Sequence, residues 1–220
     1  MAEDENKILR GQALWQNLWF YRKAVVLYQL TVAFTGRFLP KHGDRMVDQM
    51  VQAARSGKQN IIEGSADGMT STELELKLLN VARASIQELQ EDYADYLRSH
   101  RLPLWDNSHR RFKGMTKFCR SNNDLANYKP YFDVWSDEEM ANVGYTLCRM
   151  SDRMMTTYIK KLESRFVTEG GIKERMTAAR LGYRNDMKKH LEQAQQEISR
   201  LKAENEQLRA HIKRLENQEI

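Results

Sequence analysis

SDEEMANVGYTLCRMSDRMMTTYIKKL, Ser136 to Leu162, reads as a helix with a marked start. Ser136 and Glu139 form a capping box: the serine oxygen accepts from a first-turn amide, and the glutamate reaches back to the serine amide. Behind it Met140, Val143, Leu147, Met150, Met154, Tyr158 and Leu162 recur at spacings of three and four, which puts them on one helix face. Gly170 and Gly171 follow Glu169, where paired glycines readily end a helix.

The same pattern recurs upstream. A first helix is expected from near Gln12 to Arg37, with Leu14, Leu18, Tyr21, Val25, Tyr28 and Val32 on one stripe. Trp15, Trp19, Val26, Leu30 and Phe34 form a second stripe. A helix apolar on two sides is buried on two sides, so one of them is expected to face another subunit; a thick core within a single chain is the competing reading. A turn at 40–44 leads to a second helix carrying Val47, Met50, Val51, Ala54 and Ile61. Gly57 inside it costs about 1 kcal/mol relative to alanine, which a close helix approach would offset. Residues 63–72 read as a loop. Thr70 and Glu73 fit another capping box, opening a third helix with Leu78, Ala82, Ile86, Leu89, Tyr93 and Tyr96 and ending before Pro103. A short helix is expected within 108–120, then an irregular connection. No sustained two-residue alternation suggests a strand. The expected fold is all-α: an up-down-up-down four-helix bundle over 1–165, a linker helix over 166–186 and a parallel coiled coil over 187–220.

The coiled coil follows from a heptad with Leu191, Ile198, Asn205 and Ile212 at a, and Met187, Ala194, Leu201, Leu208 and Leu215 at d. Beta-branched a positions with leucine at d favour two parallel strands. Asn205 weakens the seam but pairs with its own copy across a dimer axis, so it specifies register and partner number. Glu197 and Glu204 at g reach Lys202 and Arg209 at e of the other chain, contributing about 0.2–1 kcal/mol each.

The chain has 220 residues and a formal net charge of +5. The excess is local. Arg98, Arg101, Arg110, Arg111, Lys113, Lys117 and Arg120 stand against Asp106 alone, and Lys173, Arg175, Arg180, Arg184, Lys188 and Lys189 against Glu174 and Asp186. Outside these two segments the charge is negative, so the field that attracts polyanions is concentrated in them. Arg110, Arg111, Lys113, Lys117 and Arg120, with Arg180, Arg184, Lys188 and Lys189, are the expected nucleic-acid contacts, through phosphates. Phe112 and Phe118 alternate with the first set, and an exposed phenylalanine stacks on a base; packing inward is the competing reading.

The residue types that carry catalysis are scattered. His42, His100, His109, His190 and His211 have no partner at metal-ligand spacing, and neither does Cys119 or Cys148. Glu63, Glu73, Glu75 and Glu88 read as caps and polar interface groups; Asn60, Glu63, Ser85 and Glu88 are expected to hydrogen-bond across helices. No enzyme, cofactor or metal is expected. The acidic, polar N-terminus is not a secretory signal, no apolar run is long enough to span a membrane, and reduced thiols fit a cytoplasm.

Asn60-Ile61-Ile62-Glu63-Gly64 and Ala82-Arg83-Ala84-Ser85-Ile86-Gln87-Glu88-Leu89 resemble motifs of a bacterial four-helix-bundle family. The family includes proteins encoded in 23S ribosomal RNA intervening sequences. Its usual forms are Asn-Ile-Ala-Glu-Gly and Ala-x-Gly-Ser-x-x-Glu-Leu, so Ile62 and Ala84 depart from it. Phe166 to Arg180 is similar to a suffix segment of some members. The resemblance covers about 22–165 and implies a closed ring of bundles, commonly a pentamer. It also points to the accessory proteins of diversity-generating retroelements, basic rings that bind nucleic acid and a reverse transcriptase. A fivefold ring and a two-stranded tail differ in symmetry; two rings joined by their tails, or a plain dimer, would reconcile them. Lys173–Lys189 ahead of the heptads is similar in order to basic-zipper DNA readers, but Arg175 and Tyr183 occupy that motif's asparagine and arginine slots. The functional expectation is an oligomeric protein that binds RNA or DNA, as accessory to a nucleic-acid-processing partner; the alternative is a scaffold that joins protein partners only.

Overall fold

The structure, a computed structural model, describes residues 15–40, 45–68 and 71–216. Among them there is no strand, and the fold is all-α. The elements are α1 (Trp19–Phe38), α2 (Arg45–Asp67), α3 (Thr72–Ser99), α4 (Phe112–Ser121), α5 (Asp137–Glu169) and α6 (Ile172–Glu216). The chain divides into two compact units: Leu9–Ile172 is one, and α6 from Lys173 onward belongs to the other. No helix among the described residues is long and apolar enough to cross a membrane.

In the first unit α1 packs against α2 and α5, α2 against α3, and α3 against α5. Their inner faces meet in one core that includes Val26, Leu30 and Phe34 of α1, Met50 and Ile61 of α2, Leu79, Ile86 and Leu89 of α3, and Met140, Leu147 and Met155 of α5. Each such side chain stabilises the fold by about 1.5–3 kcal/mol relative to exposure. The core stripe of α1 is the second one in the sequence from Val26 onward; Trp19, expected on it, is exposed. Tyr21, Val25 and Tyr28 are only half-buried, and Val32 is exposed. Between the two stripes lie Lys23, Ala24 and Thr31, all buried.

The helix ends obey local chemistry. Ser136 Oγ accepts from Glu139 N, and the Glu139 carboxylate accepts from Ser136 N, completing the capping box that opens α5. Gly170 closes it at φ 71°, a region where a Cβ is costly. At the start of α3 the cap is Ser71, accepting from Leu74 N at 3.2 Å; Thr70 lies outside the described residues. Arg101 (φ 56°) closes α3 in a Schellman motif, with Leu102 N donating to Leu97 O and Arg101 N to Arg98 O. The expected starting point of α1 near Gln12, Leu14 and most of the 40–44 turn lie outside the described residues. Within them, α1 begins at Trp19 after a 3-10 turn, Trp15–Asn17.

Two sequence expectations are corrected. Residues 63–67 are helical, not a loop. Gly64 brings α2 against α3, where a Cβ would meet Leu78 Cβ at 3.2 Å and the Glu75 carbonyl at 3.4 Å; that packing carries the helix past weak helix formers. Gly57 makes the same kind of approach one turn pair earlier, with Ile86 Cγ1 2.9 Å from where its Cβ would be. The second correction concerns polar groups. Ser85 does bond across helices, to Ser56 Oγ at 2.9 Å, but Asn60 donates to Ser56 of its own helix, and Glu63 and Glu88 are exposed. A carboxylate on an exposed face keeps its water, so it has no need of a cross-helix partner.

Asp92, half-buried on α3, is pushed up to about 6 by burial and by Asp95 and Glu88. A raised carboxyl favours the fold when protonated. That contribution is complete below the ordinary value of 3.8 and is lost as pH rises through about 6. Asp92→Asn is therefore expected to raise stability at pH 7 by about 1 kcal/mol, solvent screening keeping the figure small. Urea melts at pH 4 and pH 7 check it: the gain over wild type should shrink toward the acid end, and an equal gain at both contradicts the assignment.

Considered by itself, α6 is a single helix of 45 residues, roughly 67 Å long. Leu191, Ile198, Leu201, Leu208 and Ile212 are all exposed along it, as is Asn205. The helix is continuous through 186–187, where a linker was expected to give way to the coil. Glu197 pairs with Arg200 of the same helix at 2.6 Å. The side chain of Leu215 lies outside the described residues.

Candidate nucleic-acid interface

α4 is amphipathic. Met115 and Cys119 are buried, while Arg110, Lys113, Lys117 and Arg120 are exposed. Spacings of three and four place Lys113, Lys117 and Arg120 within one arc of α4, and Arg110 lies in the turn just ahead of the helix. Among the described residues none of the four forms an ion pair.

Both ends of this short helix are anchored. At its start the Arg111 guanidinium meets Glu139 at 2.6 Å and lies 5.9 Å over the Trp105 ring. Trp105 in turn is fixed to α5: its amide donates to Asn142 Oδ1 at 2.7 Å and its indole to Glu138 at 2.6 Å. Arg111, expected at the nucleic-acid surface, thus serves the attachment of α4. At the other end the last carbonyls need donors. Lys23 Nζ donates to Cys119 O and to Asn122 O at 3.2 Å, and Tyr128 donates to Asn122 O at 2.9 Å. Burial lowers the Lys23 pKa, while the carbonyl acceptors and the negative end of the helix dipole favour its ammonium form. Burial also holds the Cys119 thiol up at about 12, so at neutral pH it sits beside Lys23 as a thiol.

The two phenylalanines diverge. Phe118 packs edge-on against Tyr128, Tyr131 and Trp135, so the inward-packing reading holds for it. Phe112 is half-buried on the opposite flank, in the wall of a cleft of about 490 Å³. The cleft lies between α1, α4 and α5. Its apolar surface comes from Trp19, Phe112, Met150 and Met154, and its cations are Lys23, Arg120, Arg149 and Arg153. Trp19 is 57% exposed, and the Arg22 guanidinium lies 5.2 Å over its ring.

Of the residues singled out in the sequence, only Arg120 belongs to both the α4 arc and the cleft. Arg180, Arg184, Lys188 and Lys189 are exposed on α6, in the other unit. Arg149 and Arg153 were missed. Their signal was the repeat Arg149-Met150 and Arg153-Met154, which places two cations one helical turn apart beside two thioethers. His109 stacks on Trp105 and His100 on Tyr96, both as packing groups; His42 lies outside the described residues. Glu75 is buried and accepts from Tyr158 Oη at 3.1 Å.

The class these observations define is an all-helical protein with a clamped cationic helix and a long amphipathic one. No protein-family model, curated protein or solved structure matches the chain.

Proposed function

We propose that this chain binds nucleic acid without catalysing a reaction, and does so as an oligomer. The observation that carries the reading is the arc Lys113, Lys117 and Arg120 of α4, with Arg110 in the turn before it, on a helix anchored at both ends and with no carboxylate partner for these cations among the described residues. A row of cations on an anchored helix releases counterions from a phosphate backbone without first having to order that helix. The resemblance of residues 60–64 and 82–89 to a bacterial four-helix-bundle family supports the same reading. In it α1, α2, α3 and α5 run up-down-up-down, and the protein serves a nucleic-acid-processing partner such as a reverse transcriptase.

The oligomer forms in part through α6. Its exposed seam has no partner within the described chain, and an apolar face of that length is buried by a second copy. Asn205 then faces its counterpart, and Glu197 exchanges Arg200 for Lys202 of the other helix. In the second copy's presence Arg180, Arg184, Lys188 and Lys189 are doubled just ahead of the coil, adding cations to the assembly. Light scattering on the full chain and on a variant ending at residue 186 tests this: the mass per particle should fall when the seam is removed. An unchanged mass overturns the pairing of α6.

The nucleic-acid reading is tested by anisotropy titrations of labelled RNA and DNA over a range of salt. Saturable binding that weakens with salt, and weakens again in Arg110/Lys113/Lys117→Ala, supports it. Absence of saturable binding near physiological salt leaves the scaffold reading, in which the seam joins proteins only.

A further inference from the structure

The cleft between α1, α4 and α5 has a chemistry that phosphate binding alone does not use. Trp19 is more than half exposed, with the Arg22 guanidinium over one face of its ring, although burying an indole is strongly favourable. Phe112, Met150 and Met154 continue that surface, and the volume of about 490 Å³ falls within the roughly 300–1,000 Å³ of small-molecule sites. Arg120, Arg149 and Arg153 stand around it, exposed and without ion pairs among the described residues. An aromatic, soft interior with a cationic rim complements a flat ring carrying anionic groups at its edge. A nucleobase with its flanking phosphates has that form. A base inside a duplex is stacked on both faces and cannot enter; a base of a single strand can be splayed out.

We infer that the cleft holds an unpaired base of single-stranded nucleic acid, stacked on Trp19, with the neighbouring phosphates on Arg120, Arg149 and Arg153. The inference rests on the nucleic-acid reading above and gives it a substrate class. Arg120 belongs to both surfaces, so a strand leaving the cleft passes onto Lys117 and Lys113 along α4. The protein then prefers single strands to duplexes and tolerates many sequences, since every base has a π-face.

The test uses the full chain and three probes: a short labelled single strand (as RNA and as DNA), the duplex of the same sequence, and a strand of equal length made of abasic residues. The intact strand should bind about 10-fold more tightly than the abasic one, the difference one aromatic stack makes. Trp19→Ala should bring the intact strand down to the abasic strand's affinity, while Trp19→Phe restores most of it. Arg149/Arg153→Ala should weaken the intact and abasic strands alike. Trp19 is largely exposed, so its variants should keep the wild-type circular dichroism. Equal affinity for the intact and abasic strands, or an unaltered Trp19→Ala variant, overturns the base site. In that event a loss in Arg110/Lys113/Lys117→Ala still upholds the phosphate surface. No binding of any probe removes both.

Discussion

Tyr93→Ala is expected to lower the free energy of unfolding by about 3–5 kcal/mol, the range for deleting a buried aromatic ring. Tyr93 has no exposed surface. Its ring meets Phe34 of α1 edge-on at a centroid distance of 5.3 Å, and its hydroxyl hydrogen-bonds Thr31 Oγ1 at 2.8 Å. On the other side it presses on Gly144 of α5, where a Cβ would lie under 3 Å from three ring atoms. One side chain on α3 therefore spaces both α1 and α5, and its loss leaves a cavity that rigid helices close poorly. Burial also pushes its phenol far above the ordinary range, so it stays protonated and can donate. Tyr93→Phe keeps the ring and should cost about 1 kcal/mol, because Thr31 retains its bond to Leu27 O. Gly144→Ala should cost about 1–3 kcal/mol by overpacking against the same ring. Denaturation followed by tryptophan fluorescence reads this unit selectively, since Trp15, Trp19, Trp105 and Trp135 all precede α6. A cost below about 1 kcal/mol for Tyr93→Ala would refute this packing.

Arg110/Lys113/Lys117→Ala is expected to weaken binding to a single strand by about 100-fold at 0.1 M salt. For a single strand each neutralised phosphate contributes about 0.7 to the slope of log K against log salt. Three lost contacts should therefore flatten that slope by about 2, and the lines for wild type and variant should converge toward 1 M salt. The loss should be the same for unrelated sequences, because phosphates carry no sequence information. All three side chains are exposed and none forms an ion pair among the described residues, so the fold should be unaffected. Arg111 is left out on purpose: removing it breaks the ion pair with Glu139 that attaches α4 to α5. A parallel shift of the salt line without flattening would mean that these cations act on the protein and not on phosphates.

The cleft and the arc of α4 are related through a buried lysine that nothing in the sequence marked. Lys23 follows Arg22 near the start of α1, ahead of Ala24, Val25 and Val26. Folded, it is 1% exposed and serves the last carbonyls of α4. Phe118 shows the same limit: in the chain it lies between Lys117 and Arg120, and its neighbours in space are Tyr128, Tyr131 and Trp135. A ten-residue helix has little stability of its own, so where its faces point depends on what it packs against.

What the sequence determined by itself is local. The all-helical character, the Ser136 capping box, the stop before Pro103 and the break at Gly170 each follow from the chemistry of a few consecutive residues. The exposed heptads of α6 were legible for the same reason, since a seam is a period along one helix. Only the tertiary structure decided that α2 continues to Asp67, that Arg111 belongs to Glu139, and that Arg149 and Arg153 of α5 meet Trp19 of α1 across a cleft. These depend on residues distant in the chain. A periodicity specifies which face of a helix is buried; the partner and the depth are set by the packing of all the helices at once.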